Sequence, residues 1–208
     1  MNKTVKIIIA VVIAIVAVVA ILVGVFAFGN SKPKSNLTIN SAEDLTTLVD
    51  QIYAGVSIEM PMLMTMPVDT TDADSEIDMT DVETVKYVTA LENVDDLEYV
   101  AMSEPMMSSQ AYSMVLVKAK DGADVDEMAK SMNEDIDERK WICVTAEKIY
   151  TATSGNVICL VMSNPDTAKT VYESFKTIAG GIGEEYERTA ETPEMPEDML
   201  PGQDGLAY

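Results

Sequence analysis

The chain has no histidine, and that absence removes His-based catalytic triads, imidazole metal ligands and imidazole pH switches together. Cysteine is almost as scarce: with only Cys143 and Cys159 there is no disulfide framework and no cysteine-rich metal motif. Catalysis would have to come from carboxylates, lysine, tyrosine or cysteine. No Ser-Lys signature, strained glycine elbow or phosphate loop is present to organise them. Positive charge is the third shortage. Lysine and arginine number 14 against 35 acids, and four of those cations precede Ser35, leaving ten against 35 and a formal charge of −25 on the rest. That field repels nucleic acid and anionic lipid. It leaves cations, basic proteins or basic wall polymers as electrostatic partners, and it also keeps a domain soluble.

Long apolar runs are absent too, with one exception. Residues 7–28 are 22 consecutive residues without a charged or strongly polar side chain, preceded by Lys3 and Lys6. As a helix rising about 1.5 Å per residue this stretch covers about 33 Å, enough to cross a hydrocarbon core of about 30 Å. A cleaved secretory signal is the rival reading, with Val25 and Ala27 as small residues at a cleavage site, but the run exceeds the usual signal length of about 7–15 residues. No cysteine follows it before Cys143, which closes the lipoprotein route. The expectation is a single-pass plasma-membrane protein with a cytoplasmic tail (1–6), an anchor (7–28), a tether (29–40), an extracytoplasmic domain (41–183) and an acidic disordered tail (184–208).

Within the domain, Ser41 is placed to cap a helix with Glu43 and Asp44 in its first turn and a stripe of Leu45, Leu48, Val49, Ile52 and Tyr53. Strands are expected over 97–102 and 112–119, the second apolar on both alternating faces. Asp124, with Glu127 three residues on, opens a helix whose stripe is Val125, Met128, Ala129, Met132 and Ile136, closed by Arg139 and Lys140 at the negative end of its dipole. Strands over 142–151 and 157–162 flank a turn at Gly155. Pairing Thr153 with Asn156 there sets Cys159 opposite Tyr150, far from Cys143, so two buried free thiols are expected. Asn164 and Pro165 open a last helix carrying Ala168, Val171, Tyr172, Phe175 and Ile178, ended by Gly180 and Gly181. The short element near Val82, Val85, Tyr87 and Val88 fits helix or strand equally. The order α-β-β-α-β-β-α predicts an α+β fold: two layers, an antiparallel or mixed sheet with helices mainly on one face.

Three groups of residues carry chemistry. Asp72, Asp74, Glu76, Asp78 and Glu83 fall on ligand positions of a calcium loop, but Ile77 stands where the sharp turn needs glycine, so the alternatives are a labile cation site and a solvated acidic loop. Met60, Met62, Met64 and Met66 recur at every second position, which in extended chain puts four soft thioethers on one side; they suit Cu(I), or serve as flexible gap fillers. Arg139, Lys140 and Trp141 form a candidate partner contact, against the alternative that the indole packs where helix meets strand. No residue is assigned a catalytic role, and no cofactor is called for.

The run RKWICVTAE, with VLVKAKDGADVDEM before it and NVICLVMS after it, resembles an uncharacterised family of small extracytoplasmic domains of Gram-positive anaerobes, carried behind a membrane anchor or a lipoprotein signal. The resemblance implies an exported α+β domain and no transferable activity. The leading expectation is therefore a membrane-anchored binding or structural module with a wall or membrane protein as partner. Weak Ca²⁺ or Cu(I) binding is the alternative, and a carboxylate-based hydrolase the second.

Overall fold

The computed structural model describes residues 33–57, 62–68, 82–106, 109–141 and 143–190. The elements are α1 (Ala42–Ala54), β1 (Leu63–Val68), α2 (Val82–Thr89), β2 (Leu97–Pro105), β3 (Ser113–Ala119), α3 (Val125–Asp135), β4 (Lys148–Ser154), β5 (Val157–Ser163), α4 (Pro165–Ala179) and β6 (Glu185–Thr189). The fold is α+β, with one six-stranded antiparallel sheet in the order β1-β2-β3-β5-β4-β6. No helix among the described residues is long and apolar enough to cross a membrane; the stretch 7–28 lies outside them.

The expected two-layer arrangement is corrected: helices cover both faces. On one face Val115, Val117, Ile158 and Leu160 pack with α2 and α3, and on the other Leu116, Cys159 and Val161 pack with α1 and α4. All seven residues of β5 are buried, as a strand roofed on both sides requires. Topology explains the division. The chain passes from β3 through α3 to β4, and from β5 through α4 to β6, each time skipping one strand in the same direction across the sheet. β3 and β5 run antiparallel, so two crossovers of one hand must place their helices on opposite faces.

The caps form as read: Ser41 accepts from the Asp44 N–H, Asp124 from Glu127 and Asn164 from Thr167, with Pro165 at the first helical position. Gly180, at φ +74°, ends α4 in a conformation that disfavours any side chain, and a Cβ there would also strike Asn36. That contact reflects a second correction. The expected tether is part of the domain from Lys34 on: the Asn36 N–H donates to Ala179 O at 2.9 Å, and Leu37 and Ile39 pack on the α1/α4 core.

Three boundaries also move. The β4–β5 loop is Gly155-Asn156, with Gly155 at φ +59° as a two-residue II′ hairpin needs, so Cys159 lies opposite Ala152 rather than Tyr150. This is a two-residue shift and keeps every side chain on its face. β4 begins only at Lys148, leaving Cys143 exposed rather than buried, while Cys159 is fully buried and its thiol pushed up by that burial; both are free. Residues 185–189, expected in the tail, form edge strand β6. The rest of that tail from residue 191 lies outside the described residues.

β6 is held by its charged side chains. Glu185 accepts from Lys176 at 2.7 Å and from Tyr172 at 2.5 Å, and Arg188 pairs with Glu138 at 2.9 Å. Hydrogen bonds from Lys176 and Tyr172 hold the Glu185 carboxyl below its ordinary value. For Glu138, burial works against the carboxylate, but the Arg188 hydrogen bond and the Glu138 backbone amide outweigh it and the net shift is also downward. A carboxyl depressed by folding contributes stability that is present above its unfolded value, about 4.5, and is lost as pH falls through the folded value. Acidification also relieves repulsion among the other acids, so the readout is a difference. The melting temperature of the Glu138→Gln/Glu185→Gln variant is expected to fall less steeply below pH 4.5 than that of the parent, and parallel acid limbs would refute the assignment.

Candidate functional site

Among the described residues the exposed large apolar side chains are Met62, Met64, Val82, Tyr87 and Met106: Met64 is in β1, Met62 directly precedes it, Met106 directly follows β2, and Val82 and Tyr87 are in α2. The β1/β2 register explains how most of them meet. Met64 pairs with Glu104 and Met66 with Met102, and the Met106 N–H donates to Met62 O at 3.1 Å, extending the ladder by one pair. Alternation then sets Met62, Met64 and Met66 beside Met102, Glu104 and Met106 on the face that α2 and α3 cover further in. Met66 and Met102 join that core, whereas Met64, Met106 and Met62 are 42, 60 and 76% exposed.

Beneath this corner lies a buried cation. The Lys140 side chain is 2% exposed; its Nζ pairs with Glu104 and donates to Ser113 Oγ at 3.0 Å. It also lies 5.4 Å from the Trp141 ring centroid and 5.8 Å from that of Tyr87. The Tyr87 phenol is raised by burial and then by the charges of Glu104 and Asp137. Lysine, serine and glutamate in contact are a familiar catalytic trio. Here, though, Ser113 is fully buried at the start of β3, so no substrate carbonyl can reach its oxygen. What the trio does is fasten the segment after α3 to β2 and β3.

The candidate contact Arg139, Lys140 and Trp141 therefore does not form one exposed patch. α3 ends at Asp135, so neither cation lies in its last turn: Arg139 is exposed, Lys140 turns inward, and Trp141 is 9% exposed within the core. The α3 carbonyls are served instead by Arg188, which donates to Asn133 O and Ile136 O, both at 2.7 Å. Of the acidic candidates, Asp72, Asp74, Glu76 and Asp78 lie outside the described residues, as does Met60, while Glu83 is exposed in the first turn of α2. Among the described residues no group of three or more acidic or cysteine side chains could hold a metal ion. Sequence reading overlooked Met106, Glu104 and Ser113, because their roles come from strand pairing and from a lysine that only the fold turns inward.

Two other polar groupings are structural. On the α1/α4 face the Tyr53 and Tyr112 hydroxyls meet at 2.9 Å, and burial pushes the Tyr53 phenol up to about 12 although bonds with Ser103 and Tyr112 oppose it. Around the docked segment 35–40, grooves of about 270–320 Å³ are shallow and lined by mixed polar residues such as Asn36, Asp44 and Lys118. No family model matches the chain, and neither a curated protein nor a solved structure matches it.

Proposed function

We propose that the chain is a single-pass, membrane-anchored binding module presented outside the plasma membrane, and that the β1 corner is its contact surface. The supporting observation is the grouping of exposed apolar side chains: Met62 and Met64 at the start of β1, Met106 just past the end of β2 and hydrogen-bonded to Met62, and Tyr87 of α2 beside the Lys140–Glu104 pair. Small monomeric domains rarely gather such residues without a partner. Among the described residues β1 is paired on one side only, by β2, so its other edge has main-chain groups to offer. At the opposite end of the sheet, β6 carries Glu185, Glu187 and Arg188, the charge pattern that discourages pairing. The occupant that fits is an extended segment of a wall or membrane protein, apolar where it meets the methionines and basic in its flanks to suit an anionic domain. The apolar stretch 7–28 and the resemblance to exported domains support the location.

The test places a photo-crosslinking residue at position 64 of the full chain in native membranes, with position 134 on the solvent face of α3 as control. Position 64 is expected to give one discrete adduct that position 134 lacks and that added salt weakens. Identical adduct patterns from the two positions, or none from either, would remove the β1 corner as the contact surface.

A further inference from the structure

We propose that Met62, Met64 and Met106 form a thioether site for Cu(I). Met62 and Met106 oppose one another as neighbours in the ladder, at a Cα separation of about 5.5 Å for such a pair, and Met64 follows two residues along β1, about 6.7 Å away on the same face. Three flexible side chains at these spacings can turn their sulfurs toward one point above the ladder. Thioethers are soft, neutral donors and select Cu(I) over the hard divalent cations that carboxylates take. The anionic domain raises the local concentration of any cation at this surface.

The competing account of these methionines is that they fill space. It explains Met66 and Met102, which are packed into the core, but Met62, Met64 and Met106 are 76, 42 and 60% exposed and fill no gap. Methionine at a protein-binding surface is the other account, and leucine separates it from metal binding: Leu keeps the apolar area and removes the sulfur. The copper site thus stands or falls independently of the docking surface. A pH signature follows from the donors. Thioethers carry no proton to displace, so affinity stays flat between about pH 6 and 8, unlike binding to a thiol.

The experiment uses the full chain in detergent micelles with Cys143→Ser, which removes the exposed thiol as a competing ligand. Cu(I) is supplied without oxygen in competition with a chromophoric Cu(I) chelator, and Ag(I) is added separately to protein labelled at the methionine methyls. One Cu(I) per chain is expected, with Ag(I) shifting the methyl resonances of Met62, Met64 and Met106. Each single Met→Leu change should weaken Cu(I) by about 10–100-fold, on the scale of known ligand-environment effects, and the triple change should abolish competition with the chelator. Leucine conserves volume at exposed positions, so melting temperatures should match the parent; if the triple variant unfolds, the singles decide. A parent that cannot compete with the chelator, leucine variants that bind as tightly as the parent, or Ag(I) shifts confined to other methionines would each overturn the site.

Discussion

Replacing Lys140 by methionine is expected to lower the unfolding free energy by about 3–5 kcal/mol, the usual cost of removing one partner of a buried ion pair. The Lys140 side chain is 2% exposed, and although Glu104 is 23% exposed, the Oε1 that faces the ammonium is itself shut off from water. Ser113 Oγ loses its donor in the same change. Methionine retains most of the aliphatic stem that packs near Tyr87 and Trp141, so the loss reports the charge rather than a cavity. The discriminating comparison is the double variant Lys140→Met/Glu104→Met, expected to recover most of the deficit because no orphaned charge remains. Urea unfolding of the parent, both singles and the double completes the cycle. A single-variant loss under about 1 kcal/mol would place the pair among surface salt bridges and show that it does not fasten the segment after α3 to β2 and β3.

The second large effect is expected at Arg188. Its guanidinium donates through Nε to Asn133 O, through one terminal nitrogen to Ile136 O and through the other to Glu138, tying β6 to the end of α3. Hydrogen bonds to a charged group are worth about 1.5–3 kcal/mol each, but the side chain is 25% exposed and water replaces part of what is lost, so Arg188→Met should cost about 2–3 kcal/mol. Arg188→Lys should recover little of it, since one ammonium cannot reproduce a planar fork aimed at three acceptors. Hydrogen exchange locates the effect: amides of β6 and of the last turn of α3 should open together, while α4 stays protected. Full rescue by lysine would show that the charge alone matters.

These two residues mark what sequence reading reached and what it did not. Arg139 and Lys140 were expected at the end of α3 because cations favour a helix C-terminus, and the physical demand was real: the carbonyls at the end of α3 are capped by a cation. The cation comes from Arg188, more than 50 residues along the chain, on a segment whose acidity suggested a tail. Local pattern names the need, but only the crossover through α4 decides which residue meets it. The methionine series shows the same division. Alternation at Met62, Met64 and Met66 was visible in the sequence, whereas the partnership with Met106 requires the antiparallel pairing of strands separated by residues 69–96.

Local patterns determined the four-residue periodicity and caps of α1, α3 and α4, the doubly apolar strands β3 and β5, and the absence of histidine chemistry, because each depends on neighbours within a few residues. Tertiary structure alone decided that helices roof both faces of the sheet, that Lys140 is buried against Glu104 and Ser113, and that the exposed methionines gather at the β1 corner. Those outcomes depend on strand order and crossover hand, and neither is written in the spacing of residues along a single element.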